Sequence, residues 1–395
     1  MTLLTPSRPP RREAASRPTA WPTAVAVAAF VGFCLWNWPP SSLQFDLRVY
    51  VAAAGDFLAG LDIYEASVRH PEIGMAFTYP PFAAILFAPL SLVGTGVGRV
   101  ITVLICAFST LAIGLVSARA IWPHLPAVRL RTLGLAIGAA GVALEPVRST
   151  FDYGQINLIL TAMLLVDLLG YLPSRYRGVL IGIATGIKLT PGIFLIYLVV
   201  TRRYREAATA AAATIATMVI GFLAMPAESI KFWFKLIYDP GRPGASHFIS
   251  NQSLRGMADR LTYGEGALYW LVLALAALVL GMYAARRAYF AGQHLEAILL
   301  AACTALLISP ISWTAHWVWA LPICALLWSR VRTTPAIAVL AAGWTVTMAF
   351  GLPWYAPYFG DREYTHQGFD VVLGNSYALV AVAFIATSLL TKRRV

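Results

Sequence analysis

Three side chains in this sequence combine reactivity with an unusual setting. Asp46 lies in Gln44-Phe45-Asp46-Leu47-Arg48-Val49-Tyr50, a carboxylate flanked by apolar residues. Partial desolvation raises the pKa of such a group and makes it a better base. A helix cap or a pair with Arg48 would account for it without chemistry. Lys188, in Gly186-Ile187-Lys188-Leu189-Thr190-Pro191, is a lone cation inside an apolar run. Charges there are expensive and usually functional. With amide N–H groups freed by a broken backbone, it could hold a lipid phosphate; snorkelling toward water is the alternative. His316 sits in the strip 307–319 beside Trp313, Trp317 and Trp319, where one apolar segment gives way to the next. Indoles favour the membrane–water boundary, and an imidazole at that depth can donate to a phosphate or orient a base. An incidental histidine in an aromatic belt is the other reading.

Further polar motifs punctuate the chain. Phe77-Thr78-Tyr79-Pro80-Pro81-Phe82 is a rigid segment entry, with Tyr79 placed to line an acceptor site. Gly154-Gln155-Ile156-Asn157 offers amides suited to sugar hydroxyls, or to capping a helix. Asn251-Gln252-Ser253-Leu254-Arg255-Gly256 reads as a polar, cationic lip for a phosphate-bearing ligand, and Ser312 and Trp313 join the sugar-facing group. Asp56, Asp62 and Glu65 read as a solvated face. The sequence has no P-loop, dinucleotide fingerprint, metal-ligand cluster or Asp-x-Asp pair, so no cofactor or metal is expected. A donor sugar, if there is one, is expected on a lipid.

The elements that must position these groups are membrane helices. The chain is 59% hydrophobic and 12% charged, with a mean hydropathy of +0.69, which excludes an ordinary soluble domain. Apolar segments fall roughly at 20–38, 82–93, 97–121, 132–147, 156–172, 178–200, 207–226, 267–290, 294–309, 314–331, 335–352 and 373–391. The expected fold is therefore all-α and polytopic, with about 10–12 membrane segments. The net charge of +12 lies mainly in Lys/Arg clusters at segment ends, which encode orientation and not nucleic-acid binding. Cys34, Cys106, Cys303 and Cys324 sit within apolar segments as small core residues.

Residues 1–19 read as a basic disordered cytoplasmic arm and 20–395 as one domain with outer loops 39–80, 227–266 and 353–372. Simple alternation puts Arg129/Arg131 and Arg175/Arg177 outside, against the positive-inside rule. Treating 82–93 as short or re-entrant, and 178–200 as a hairpin broken in its middle by Gly182, Gly186, Lys188, Pro191 and Gly192, moves every basic cluster inside except that of loop 227–266. The termini become cytoplasmic, and Asp46, Gln155, Arg255 and His316 share the outer face.

In this order, the motifs at 45–50, 77–82, 154–157, 186–191, 251–256 and 309–313 resemble glycosyltransferase family 87, the polyprenol-phosphate-mannose-dependent α-mannosyltransferases of mycobacteria and relatives. The resemblance runs from about residue 20 to the C-terminus. It implies a GT-C fold, a polyprenyl-phosphate-mannose donor and a glycolipid acceptor of the phosphatidylinositol mannoside or lipomannan type. It also implies metal-independent transfer at the outer face of the plasma membrane. By position, Asp46 matches the catalytic base of that class and His316 the second member of a His-His pair whose first position is Ala315 here. Lys188, Arg255, Asn251 and Gln252 are then expected at the donor phosphate, with Tyr79, Gln155, Asn157, Ser312 and Trp313 at the sugar or acceptor. A secondary transporter or lipid flippase is the main rival, since broken helices with intramembrane charge serve transport too. A non-catalytic envelope scaffold is a third reading.

Overall fold

The computed structural model describes residues 21–39, 44–239 and 241–391, so the arm at 1–19 and the cluster Lys392-Arg393-Arg394 lie outside the described residues. The described residues are mainly helical, with one isolated bridge between Asn251 and Trp313 in place of any sheet. Gly94–Ile121, Tyr204–Ala224 and Ala267–Phe290 are each long and apolar enough to cross a bilayer alone. Shorter apolar helices, among them Pro81–Leu92, Asn157–Leu168, His294–Ile308, Pro335–Phe350 and Ser376–Leu390, pack around them. Leu223, Leu268, Leu275 and Val279 on the long helices stay exposed, the composition of a lipid-facing wall.

The segment 178–200 is two helices, Val179–Ile187 and Ile193–Val200. Gly182 and Gly186 do not break it, whereas Gly192 lies in the turn Thr190–Gly192 between the two pieces. Cβ atoms added at Gly178, Gly182 and Gly186 would strike Glu206, Ala210 and Thr217 in turn, so the first piece lies parallel to Tyr204–Ala224 at backbone contact. Small residues at four-residue spacing permit that approach. The break comes at Lys188, whose backbone is extended (φ −146°, ψ 134°), and Pro191 starts a new turn. The second piece runs back to Arg203, whose guanidinium donates to Leu168 O at 3.0 Å, beside the turn that contains Gly178. The segment is thus a hairpin that enters and leaves at one end. Asp167 fixes its start by accepting from the N–H groups of Gly178 (2.7 Å), Leu180 (2.9 Å) and Ile181 (3.2 Å).

Several sequence-based boundaries shift. The 39–80 stretch carries a real helix, Phe45–Leu58, as well as the short turns expected of a loop. The apolar segment 132–147 ends in a 74° bend, after which Glu145–Tyr153 forms a separate helix that hydropathy did not separate. Residues 314–331 open with a 3-10 turn, Thr314–Trp319, before the α-helix Ala320–Ser329. Asp56 is 4% exposed and takes the Arg69 guanidinium (Nε–Oδ2 3.2 Å), so it is no part of a solvated face.

The three stretches expected as outer loops assemble at one end of the molecule. Lys231 Nζ contacts Asp62 Oδ2 (2.8 Å) and Glu65 Oε1 (2.6 Å), and Arg242 donates to Phe77 O. His247 contacts Tyr364 OH at 2.8 Å and Asp361 at 3.1 Å. One cation of the basic loop, Lys231, thus pairs with two carboxylates of the acidic loop.

Candidate active site

The helix Phe45–Leu58 starts from Gln44, which is fully buried and holds a left-handed backbone (φ 39°). Helix Glu145–Tyr153 ends at Gly154, also left-handed (φ 67°). A Cβ at Gly154 would lie 3.0 Å from the Cβ atoms of both Gln44 and Leu47. Only glycine lets these two helix ends meet without strain. Their meeting brings the Gln155 carboxamide beside the Asp46 carboxylate, where it favours the ionised form.

Asp46 is half-buried in the first turn of its helix, which is not among the apolar spans. Burial pushes its carboxyl up to about 6, outweighing the Gln155 carboxamide and the attraction of Lys188, which both pull it down. The group is a carboxylate at neutral pH and basic enough to take a proton.

From Gln155, beside Asp46, a line of hydrogen bonds leads inward. Asn157 Nδ2 donates to Gln155 Oε1 and to Ala315 O (2.9 Å). Lys188 Nζ donates to Asn157 Oδ1 at 2.9 Å and lies 3.1 Å from His316 Nε2. An ammonium offers only protons, so Nε2 accepts and the imidazole proton is assigned to Nδ1. That Nδ1 is buried and has no hydrogen-bond partner. An unmet buried donor costs about 1–3 kcal/mol, so an incoming acceptor gains by filling it. The Tyr79 ring centroid lies 5.6 Å from Lys188 Nζ and its hydroxyl 2.9 Å from that of Tyr50.

A cavity of about 50 Å³ opens beside this line. Asn157, Lys188 and His316 form its polar end, while Leu160, Leu164, Phe194, Leu306 and Trp319 make the remainder mainly apolar, with Thr161 and Thr190 among them. Such a lining suits a polar head attached to a hydrocarbon.

The structure brings together Asp46, Tyr79, Gln155, Asn157, Lys188 and His316. The other expected site residues are placed elsewhere or otherwise engaged. Arg255 Nε pairs with Asp259 Oδ2 at 2.6 Å and its guanidinium lies over Trp270. Asn251 donates to Ser246 O (2.8 Å) and Pro310 O (3.0 Å) and accepts from Ser312 N (2.9 Å). Gln252 donates to Ile249 O and Gly374 O, both at 2.8 Å, and accepts from Tyr377 N (3.2 Å). Ser312 Oγ donates to Leu306 O at 2.7 Å. Asn251, Gln252 and Ser312 are buried; Asn251 ties the 249–256 strip to the 309–314 strip, Gln252 ties it to Gly374 and Tyr377, and Arg260 clamps it through the carbonyls of His247, Phe248 and Asn251. Trp313 lies in that seam, half-buried, its ring centroid 6.3 Å from that of Phe248. Ala315 is 1% exposed, and its carbonyl accepts from Thr150 Oγ1 (3.1 Å) as well as Asn157, so the backbone does the work at that position.

Sequence reasoning passed over Gln44, Asp167, Glu145 and Arg260. Asp167 carried a usable signal, since an acid inside an apolar segment is as costly as Lys188. Gln44 carried none, because its role depends on Gly154, which lies far along the chain.

The sequence model of glycosyltransferase family 87 matches residues 77–310. A Mycobacterium tuberculosis protein named polyprenol-phosphate-mannose-dependent α-(1-2)-phosphatidylinositol mannoside mannosyltransferase is 32% identical over 389 residues, 94% of this chain and 90% of the relative. A second M. tuberculosis relative, named as the corresponding phosphatidylinositol pentamannoside mannosyltransferase, is 35% identical over 366 residues, 89% of this chain and 83% of its own length. A Mycolicibacterium smegmatis protein of that same name is 33% identical over 357 residues, with 88% and 85% covered. No solved structure matches. Asp46 and His316 lie outside the family-model match, but the first relative's match leaves out too few residues to miss either one.

Proposed function

We propose that this chain, which belongs to glycosyltransferase family 87, transfers a mannosyl unit from polyprenyl-phosphate-mannose to a glycolipid of the phosphatidylinositol mannoside or lipomannan type. One observation carries the reading: the hydrogen-bonded line Gln155–Asn157–Lys188–His316 at the head of an apolar cavity, with the Asp46 carboxylate beside Gln155. It sets a basic carboxylate at one end and a cation with an unmet donor at the other.

In the proposed step, the acceptor hydroxyl oxygen attacks the anomeric carbon as its proton passes to Asp46. The bond from that carbon to the phosphate oxygen breaks, and the electron pair leaves with the polyprenyl phosphate. Lys188 Nζ and His316 Nδ1–H hold the charge that develops there. A single displacement of this kind inverts the anomeric centre. Gln155 and Asn157 keep the base and the cation in register, and Tyr79 supports the lysine. The hydrogen bonds of Asn251, Gln252 and Ser312 support a scaffolding part for them in place of direct ligation, and the Arg255–Asp259 pair does the same for Arg255. We place this end of the molecule at the outer face of the plasma membrane, with the termini inside. Supporting this, the hairpin geometry sets Arg175/Arg177 at the same end as Arg202/Arg203, where a charge rule wants both.

Incubating purified protein in nanodiscs with labelled polyprenyl-phosphate-mannose and a phosphatidylinositol mannoside tests the reading. Label should pass to the glycolipid and fail to do so with Asp46→Asn. Movement of intact donor across the bilayer without transfer would favour the transporter reading instead.

A further inference from the structure

Threonines inside helices normally satisfy their own hydroxyls by donating to the carbonyl four residues back. The buried Thr110, Thr150, Thr185 and Thr304 do so, to Cys106 O (2.7 Å), Pro146 O (2.9 Å), Ile181 O (2.8 Å) and Leu300 O (2.8 Å). Thr161 does not. It is 2% exposed, it lines the cavity beside Lys188, and its hydroxyl has no hydrogen-bond partner among the described residues. Its oxygen is not sealed in the packing either, so the little opening it keeps is toward that cavity. Thr190, half-buried in the turn Thr190–Gly192, lines the same cavity and is also without a partner among the described residues.

Two walls of the cavity carry the same order of chemistry. The helix Asn157–Leu168 and the return limb of the hairpin run in one direction, since Lys188 Nζ meets Asn157 at 2.9 Å at one end and Arg203 meets Leu168 O at 3.0 Å at the other. Along the first, the cavity is lined in turn by Asn157, Thr161 and Leu164; along the second, by Lys188, Thr190 and Phe194. Thr161 follows Asn157 by about one helical turn, roughly 6 Å of rise. Each wall thus passes from an amide or ammonium, through a hydroxyl, to hydrocarbon. A pocket for hydrocarbon alone gains nothing from two unbonded hydroxyls, because each gives up hydrogen bonds on leaving water. A lipid phosphate places acceptor oxygens between a polar head and a hydrocarbon tail, the position the hydroxyls occupy.

We propose that Thr161 and Thr190 donate their hydroxyls to the donor's phosphate one step deeper than Lys188, fixing the donor with its hydrocarbon toward Leu164 and Phe194 and its sugar toward Asp46. The lysine supplies charge and the hydroxyls supply direction, since an ammonium is a point charge that attracts from any side. Two placed hydroxyls select one rotation of the phosphate. As the bond to the anomeric carbon breaks, the leaving phosphate gains charge on an oxygen, and charge-assisted hydrogen bonds to it strengthen. This rests on the transfer reading above and adds two residues to that site.

The test uses the full-length protein in nanodiscs, with farnesyl phosphate as a short lipid phosphate and farnesol as its uncharged control. Trp319 lines the cavity, so intrinsic tryptophan fluorescence reads binding without turnover. Thr161→Val keeps the shape and removes the hydroxyl. It should weaken farnesyl phosphate about tenfold, the scale of one hydrogen bond to a charged group, and leave farnesol unchanged. Thr190→Val should do the same, and Thr161→Ser should restore parental binding. In mannosyl transfer, Thr161→Val should raise the donor KM by the same factor with the acceptor KM unaltered. Farnesyl phosphate binding that Thr161→Val weakens, in a protein that transfers nothing from the polyprenyl donor, would uphold the hydroxyls and sink the transfer reading. Parental affinity for farnesyl phosphate in either folded valine variant, an equal loss for farnesol, or no farnesyl phosphate binding by the parent protein would overturn the proposal.

Discussion

The pH dependence of turnover separates a catalytic Asp46 from a structural one. Burial lifts its carboxyl to about 6, against the pull of Gln155 and Lys188. A general base works only when ionised, so kcat/KM should rise with pH through about 6 and level off above it. One unit below that midpoint about a tenth of the protein carries the ionised base, so the rate should fall about tenfold from its plateau. Asp46→Asn should abolish the acidic limb and lower the plateau roughly 10²-fold or more. The stability sign runs opposite to that of a paired carboxylate. The folded protein binds this proton more tightly than the unfolded chain, so the contribution is present at low pH and is lost as pH rises through the folded midpoint. At neutral pH the neutral amide should therefore fold at least as well as the parent. The assay is labelled-mannose transfer in nanodiscs from pH 5 to pH 8, with thermal unfolding in parallel. A plateau near the parental rate in Asp46→Asn would refute the base assignment. A fall in Tm matching the loss of activity would make the residue structural.

Three further outcomes follow from the geometry. Lys188→Met keeps apolar length but removes the charge beside Asn157 and His316, so the donor KM should rise tenfold or more with the fold intact; an unchanged donor dependence would mean the lysine serves no phosphate. Gly154→Ala forces a Cβ to 3.0 Å from those of Gln44 and Leu47 at φ 67°, so it should lower Tm and cut turnover together, whereas a neutral outcome would show that the two helix ends need not meet. Single cysteines at 46, 155, 255 and 316 should label from outside with an impermeant reagent, and those at 129, 175, 203, 287 and 332 from inside, in a background lacking the four native cysteines. Labelling of position 155 only from the cytoplasm would split the proposed site.

The sequence alone determined what depends on solvent preference and on the local backbone. Apolar runs specify membrane helices whatever their neighbours, because burying unpaired polar backbone in lipid costs too much for any other structure. The misplaced arginines at 175 and 177 exposed the hairpin at 178–200, since its sidedness is a charge count along the chain. Asp46, Lys188 and His316 stood out as polar groups in apolar settings. Tertiary structure decided which partner each polar group meets. Asn251, Gln252 and Ser312 have the donors and acceptors a ligand site needs, and satisfy neighbouring backbone with them instead. Gly182 and Gly186 have the composition of helix breakers, yet serve as contact points for Tyr204–Ala224. The Asp46–Gln155 contact exists because two left-handed residues, Gln44 and Gly154, meet from distant parts of the chain. A hydrogen-bonding group declares its capacity in one dimension, but its partner is chosen by packing in three.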